Sequence, residues 1–164
     1  MRHPSEQALD LLKSIERTSL TPYDDQTGEE IDEWCKGATI GTGHLIRQGE
    51  WSKYRDGITE EQAEELYAND AIPMIQEVDE NTPDTLTQNE FDACVILTFN
   101  IGRGEHGFSG SSVAKILNGE PSHYANIDDA WMAWNKSQGE VNEGLINRRM
   151  CELKIYHEGI YEQW

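Results

Sequence analysis

Two carboxylates near the amino terminus carry the first chemical signal. Glu16 falls at the end of a helical pattern, and Asp25 stands nine residues on in the turn-forming stretch IERTSLTPYDDQTG (15–28). A helix-end carboxyl facing a turn carboxylate suits glycosidic cleavage. A protonated acid donates to the leaving oxygen, while an ionised partner handles water or the developing cation. Spacing alone does not decide the matter, because a helix-end Glu is most often simply solvated. Asp24, adjacent to Asp25, competes for the second role.

Other chemistries find less support. Gly102-Arg103-Gly104-Glu105-His106-Gly107 matches GxGxxG, but a helical pattern precedes it and Glu105 would oppose a phosphate. A dinucleotide site needs a strand before it and a helix opening within it. The stretch reads instead as a glycine-rich turn between helices. The acidic segment Asp24–Glu33 fails as an EF-hand loop, since counting back from Gly28 puts Tyr23 at the first ligand position. A weak adventitious cation at that segment stays open, and no Walker or HExxH pattern is present. Cys35, Cys94 and Cys151 lie far apart without CxxC spacing and are expected to be unpaired.

The charge narrows the partners. The 164 residues include 13 basic and 31 acidic side chains, for a net charge of −18. Residues 1–90 hold 21 acids and 7 bases, a net −14. Nucleic acid is therefore excluded as a partner, because phosphate neutralisation needs clustered Lys and Arg. No apolar run is long enough to span a membrane, so no insertion is expected. The opening MRHPSEQALDLLKSIER lacks an apolar core and does not read as a signal peptide. Export or delivery by another component is expected, and a start so close to the first helix favours an excised domain.

The elements that must position the carboxylates can be read locally. Leu9, Leu12 and Ile15 recur at helical spacing over 5–17, with Ser5 as N-cap. From Thr18 to Ile46, Pro22 and Gly28, Gly37, Gly41 and Gly43 punctuate β-branched pieces, which predicts hairpins. Thr59…Gln62 and Thr87…Glu90 are capping boxes. Pro73 predicts a break or kink near 70–72 in the helix that follows the first box. Behind the second, Phe91, Cys94, Val95 and Thr98 mark a buried face. Further helices are expected near 111–118, 127–136 and 144–158, with Gly119 and Gly159 as stops. The expected class is α+β with segregated lobes.

At this point a family resemblance emerges. Glu16, Tyr23, Asp25, Gly28 and the run Thr39-Ile40-Gly41-Thr42-Gly43-His44 resemble the phage-type lysozymes, whose pattern is a Glu, eight residues, an Asp, then a TIGxGH segment. LTQNEFDA (86–93), FNIG (99–102), SSVAKILNG (111–119), WNK (134–136) and GLINRRMCEL (144–153) are similar to that family's C-terminal lobe.

The resemblance implies one lysozyme domain over 1–164. It would have a β-rich lobe at about 18–58, a linking helix at about 60–82, and a helical lobe at about 86–164 that includes helix 5–17. It implies a muramidase cleaving the β-1,4 bond between N-acetylmuramic acid and N-acetylglucosamine of peptidoglycan, bound between the lobes. Glu16 is the implied general acid, and no metal or organic cofactor is implied. Asp25, with Thr39, is implied to position water or stabilise the transition state, with inversion the expected outcome. Tyr23, Gly41, His44, Asn100 and Gly102 are the implied substrate-binding residues, although a lone His44 more often has a structural hydrogen-bonding role. Arg148 and Arg149 are candidates for substrate contact, one of them more readily an ion-pair partner for a carboxylate. A monomer acting in the periplasm or cell wall is expected, as a phage endolysin or as a secreted effector with an immunity protein for partner.

One departure stands out. EEIDEWCKGA (29–38) intervenes between Gly28 and Thr39, where the family has only a couple of residues. Thr39 is therefore assigned by its TIGTGH context, with Thr27 as rival. The insertion brings Trp34, which suits packing better than sugar stacking. The reading from another class is an acidic mimic or interaction domain without hydrolase activity. A third is a lysozyme-like domain that binds glycan without cutting it.

Overall fold

In the computed structural model, which describes residues 1–164, Ser5 caps the first helix. Its Oγ accepts from the amide of Ala8 at 3.2 Å, satisfying one of the orphan donors of a helix start. Helix α1 (Glu6–Ile15) buries Ala8, Leu11 and Leu12. It stops at Ile15, because the chain enters strand β1 (Thr18–Asp24) three residues later. Glu16 thus stands just past the helix end.

The chain divides into two units, residues 16–72 and residues 1–15 with 73–164. In the first unit, β1, β2 (Ala38–Thr42) and β3 (His44–Leu45) form an antiparallel sheet in that order. Thr18 pairs with Thr42 and Ser19 with Gly41; after an irregularity the register resumes with Tyr23 opposite Thr39 and Asp24 opposite Ala38. Ala38, Ile40, Ile46 and Tyr54 form the buried cluster of this unit, with Ile31, Trp34, Trp51, Ile58 and Leu66 packed against it.

The insertion meets that sheet through an isolated bridge between Glu30 and Tyr23. It folds back along β1: the amide of Asp24 donates to the carbonyl of Glu29 at 2.8 Å, and the amide of Ile31 to that of Pro22 at 3.1 Å. The indole N–H of Trp34 donates to the Ile46 carbonyl at 2.8 Å.

A short helix α2 (Trp51–Tyr54) leads to α3 (Glu60–Glu80). The Thr59 capping box forms: the amide of Gln62 donates to Thr59 Oγ1 at 3.2 Å, and the Thr59 amide to Gln62 Oε1 at 2.9 Å. The expected break at Pro73 does not occur, and α3 runs 21 residues with Pro73 inside it. Proline removes one backbone bond and costs about 3 kcal/mol in a helix interior. Ala63, Tyr67 and Ala71 before it, and Ile75 and Val78 after it, are buried, and burial at roughly 25 cal/mol per Å² offsets that cost.

The second unit is built on α4 (Gln88–Ile101), whose residues from Phe91 to Thr98 are all buried. The buried face inferred from periodicity is thus the whole circumference, and α1 and α7 (Glu143–Glu158) pack against it. Even Asp92 is buried. Its carboxylate accepts from the Ser5 amide (2.9 Å) and hydroxyl (2.5 Å), from Gln88 (2.8 Å) and from the Tyr161 hydroxyl (2.5 Å). Burial pushes the Tyr161 hydroxyl well above its ordinary pKa, and its bond to Asp92 adds to the rise.

The glycine-rich loop after α4 binds a carboxylate of the protein itself. Glu77 Oε1 accepts from the amides of Gly104 at 2.9 Å and Ser109 at 3.1 Å. A Cβ at Gly107 would stand 2.3 Å from the Gly102 carbonyl oxygen, so this turn closes only on glycine.

Helices α5 (Ser112–Leu117) and α6 (Ile127–Met132) follow. The latter ends four residues before the expected 136, because Lys136–Ser137 and Glu140–Val141 form a hairpin, β4–β5. Gln138 and Gly139 both have positive φ, 52° and 83°, as a tight two-residue turn requires. Gly159 terminates α7 in the left-handed conformation. The three-stranded sheet precedes the long helices α3, α4 and α7, and only the short β4–β5 hairpin lies among them, an α+β arrangement. No helix is long and apolar enough to cross a membrane. Cys35, Cys94 and Cys151 are free.

Candidate active site

All the candidate catalytic residues lie in the unit of residues 16–72. The β2–β3 hairpin meets Glu16 at its tip and carries Thr39 at its base. At its tip, Gly43 adopts φ +80°, and a Cβ there would sit 3.7 Å from Glu16 Oε2, so the turn lies against the Glu16 carboxylate. At its base, Thr39 pairs with Tyr23 across the sheet. The Thr39 hydroxyl donates to the Gly37 carbonyl at 2.9 Å, and the backbone amide of Asp25 donates to the same oxygen at 3.0 Å. One seven-residue stretch, 37–43, therefore touches the surroundings of Glu16, Tyr23 and Asp25.

Tyr23 sits among charges. The Arg17 guanidinium stacks over its ring at 3.9 Å from the centroid and donates to the Gly28 carbonyl at 2.8 Å. Burial raises the Tyr23 hydroxyl above its ordinary pKa; Arg17 opposes the rise, and the carboxylates of Asp25 and Glu16 add to it. Both carboxylates thus act on one ring. Glu16 is half-buried, Asp25 is exposed and Thr39 is buried.

Asp24 and Asp25 differ in environment. Asp24 Oδ1 accepts from the Gln26 amide at 2.9 Å, which holds the turn, whereas the Asp25 side chain is exposed. The Asp24 carboxylate is therefore committed to backbone, as Asx turns are. Thr27, the rival of Thr39, is exposed, and its hydroxyl accepts from the Glu29 amide at 3.2 Å.

Gly41 has φ +66° and is buried against Ile58 and Ala63. His44 is engaged on both sides. Its Nδ1 lies 2.8 Å from Asp70 Oδ2, its Nε2 lies 4.0 Å from Glu50 Oε2, and its ring meets Tyr54 edge-on at 5.4 Å. These contacts tie the β3 hairpin to α2 and α3 within the same unit.

The remaining candidates lie in the other unit. Asn100 is exposed on α4, and its Oδ1 accepts from the Arg149 guanidinium. Gly102 ends α4 at φ +86°. Arg149 also donates to the Trp134 carbonyl at 2.7 Å and to both Glu152 oxygens at 3.0 and 3.1 Å. Arg148 donates to Glu152 at 2.9 Å and to the Ile96 carbonyl at 2.9 Å. Both arginines are thus held by one fully buried carboxylate, to which Trp131 also donates at 3.0 Å. Arg17 and Glu152 escaped the sequence reading, which placed Gly37 only as a turn residue. Arg17, adjacent to Glu16, is the one whose position offered a signal.

A hairpin glycine thus stands beside the Glu that follows α1, and a Thr and an Asp are joined through one carbonyl, on an α+β fold. The phage lysozyme family model matches residues 13–152, and the chain belongs to that family. It is similar to the endolysin of Bacillus phage PZA, at 34% identity over 155 residues, covering 94% of this chain and 55% of that protein. The chain thus spans about half the length of that relative. Among solved structures it is similar to the endolysin of Escherichia coli O157:H7 phage FAHEc1, with a TM-score of 0.72 and 28% identity over 99% of this chain and 98% of that one. It is also similar to the muramidase domain of SpmX from Asticaccaulis excentricus, with a TM-score of 0.69 and 27% identity over 96% of this chain and 99% of that one.

Proposed function

We propose that this chain is a peptidoglycan hydrolase, a muramidase that cleaves the β-1,4 bond between N-acetylmuramic acid and N-acetylglucosamine. The observation that carries the reading is the β2–β3 hairpin, which sets Gly43 against Glu16 and joins Thr39 to Asp25 through the Gly37 carbonyl. Membership of the phage lysozyme family supports the same substrate.

In this proposal protonated Glu16 gives its proton to the glycosidic oxygen as the C–O bond breaks. The anomeric carbon acquires oxocarbenium character, and a water attacks from the opposite face. The Thr39 hydroxyl donates its only proton to Gly37, so its lone pairs are left to accept from that water. Asp25 accepts the second water hydrogen and takes the proton as the new C–O bond forms. With both hydrogens held, the water's lone pair faces the anomeric carbon, and the product is inverted. Asp25 then gives its proton to solvent, and solvent reprotonates Glu16. Within the unit of residues 16–72, Tyr23 is proposed to contact the glycan and His44 to brace the hairpin. The protein acts as a monomer on wall peptidoglycan, reached with the help of another component.

The test is the Glu16→Gln variant on purified cell wall. Release of reducing ends should fall to background while the melting temperature stays that of the wild type. Wild-type lysis in that variant overturns the assignment. A wild-type protein that releases no glycan fragments by mass spectrometry would instead be a non-hydrolytic binder or mimic.

A further inference from the structure

The insertion builds something beside Asp25. Within the unit of residues 16–72 lies a depression of about 730 Å³, lined among others by Asp25, Trp34, Lys36, Leu45, Arg47 and Gln48. Trp34 and Lys36 come from the insertion, and Leu45 and Arg47 from the end of the β3 hairpin and the turn after it.

Its lining has three properties of a saccharide seat. Trp34 is a fixed platform: its indole N–H is bonded to Ile46, its ring packs on the buried cluster, and it is half-buried. A ring immobilised this way offers an apolar face at little entropic cost. Leu45 is 60% exposed and forms an apolar ledge on the same depression. The third property is charge. Lys36 and Arg47 are exposed, and neither forms an ion pair. The lining carries two cations against one carboxylate, although the whole chain carries −18.

We infer that this depression is a seat for a carboxylate-bearing sugar: Trp34 and Leu45 take the ring, and Lys36 and Arg47 take carboxylates of the peptide stem borne by N-acetylmuramic acid. This rests on the muramidase reading and extends it to substrate selection. A charged donor on a carboxylate makes a stronger bond than a neutral pair, and an exposed pair keeps only part of that strength.

Two soluble substrates test it: uncrosslinked glycan strands with intact peptide stems, and the same strands with their carboxylates converted to amides. The wild type should show a KM about fivefold lower on the native strands. The double variant Lys36→Gln, Arg47→Gln should bring KM on native strands up to that on amidated strands. A control with the same charge change at exposed positions elsewhere, Arg55→Gln with Lys115→Gln, should keep the fivefold difference. Equal KM on both strands for the wild type, or a Lys36, Arg47 variant that keeps the difference, overturns the inference. If the wild type cuts neither strand, the muramidase reading has failed, and calorimetric binding of the two strands then decides the seat by the same comparison.

Discussion

Asp25 and Thr39 are joined through a single atom. The amide of Asp25 and the hydroxyl of Thr39 both donate to the carbonyl oxygen of Gly37, at 3.0 and 2.9 Å. The turn that carries the carboxylate is thus fastened to the strand that carries the hydroxyl. Gly37 itself has φ +103°, a conformation that favours glycine.

The first prediction concerns Thr39. Thr39→Val keeps the shape of a buried residue and removes both the bond to Gly37 and the oxygen proposed to receive water. kcat should fall roughly a hundredfold, within the range for a lost positioning or acid–base group, with KM little changed. Thr39→Ser should recover most of the rate. A Val variant with wild-type kcat would remove Thr39 from the mechanism.

Asp24 and Asp25 should separate by assay. Asp25→Asn should cripple wall lysis and leave the melting temperature alone, because that side chain is exposed. Asp24→Ala loses the bond to the Gln26 amide and should cost about 1 kcal/mol of stability while retaining lysis. The opposite ranking in a turbidity assay would move the role to Asp24.

Features set by neighbours in sequence were legible, and features set by distant partners were not. Ser5, Thr59 and Thr87 cap their helices where expected, since a cap needs only the next three residues. The TIGTGH run located the hairpin for the same reason. Pro73 misled, because the burial on either side of it comes from elsewhere in the chain. The fold-back of the insertion depends on pairing with β1, and Trp34 on a carbonyl twelve residues away. The two arginines of α7 were visible as candidates. Their common partner Glu152 showed only once the helix placed it three and four residues on, facing inward.

That buried triad is a stability element. Glu152 has no exposed surface, and the Arg149 side chain is 1% exposed. Glu152→Gln would leave two guanidinium groups without their counter-charge, a loss of about 3–5 kcal/mol for a broken buried pair. The melting temperature should fall by roughly 10 °C. A shift within 2 °C or so of wild type would show that solvent screens the pair far more than its burial indicates.

Acid should weaken the fold partly through Glu77. Burial alone would raise its carboxyl. The bonds from Gly104 and Ser109, with help from Arg103, outweigh burial and hold it below the ordinary value. Asp79, bonded to Arg2, is lowered as well. A carboxyl depressed in the folded state adds stability that is complete above its unfolded pKa, about 4.3 for Glu, and is lost as pH falls through the folded value. Glu77→Gln should therefore be less stable near neutrality and show a shallower fall in melting temperature from about pH 6 to about pH 3. Asp79 would keep the remaining slope from vanishing. An unchanged acid profile in the variant would assign that slope to other groups.

The charge of −18, with −14 in residues 1–90 where the candidate catalytic pair lies, bears on which wall the proposed muramidase would attack. A strongly anionic protein is repelled by walls rich in teichoic acid phosphates and less so by walls without them. Lysis of teichoic-acid-free peptidoglycan should be the faster at low ionic strength. The gap should narrow toward about 0.15 M salt, where exposed charges are screened beyond about 8 Å. Replacing exposed Glu60, Glu61 and Glu64 on α3 with Lys changes the charge by +6, three acids lost and three bases gained, without touching Glu16 or Asp25. This should raise the rate on anionic walls selectively. Equal rates on both walls at low salt, in wild type and variant alike, would show that wall contact is governed by the local chemistry of the site and not by the protein's overall field.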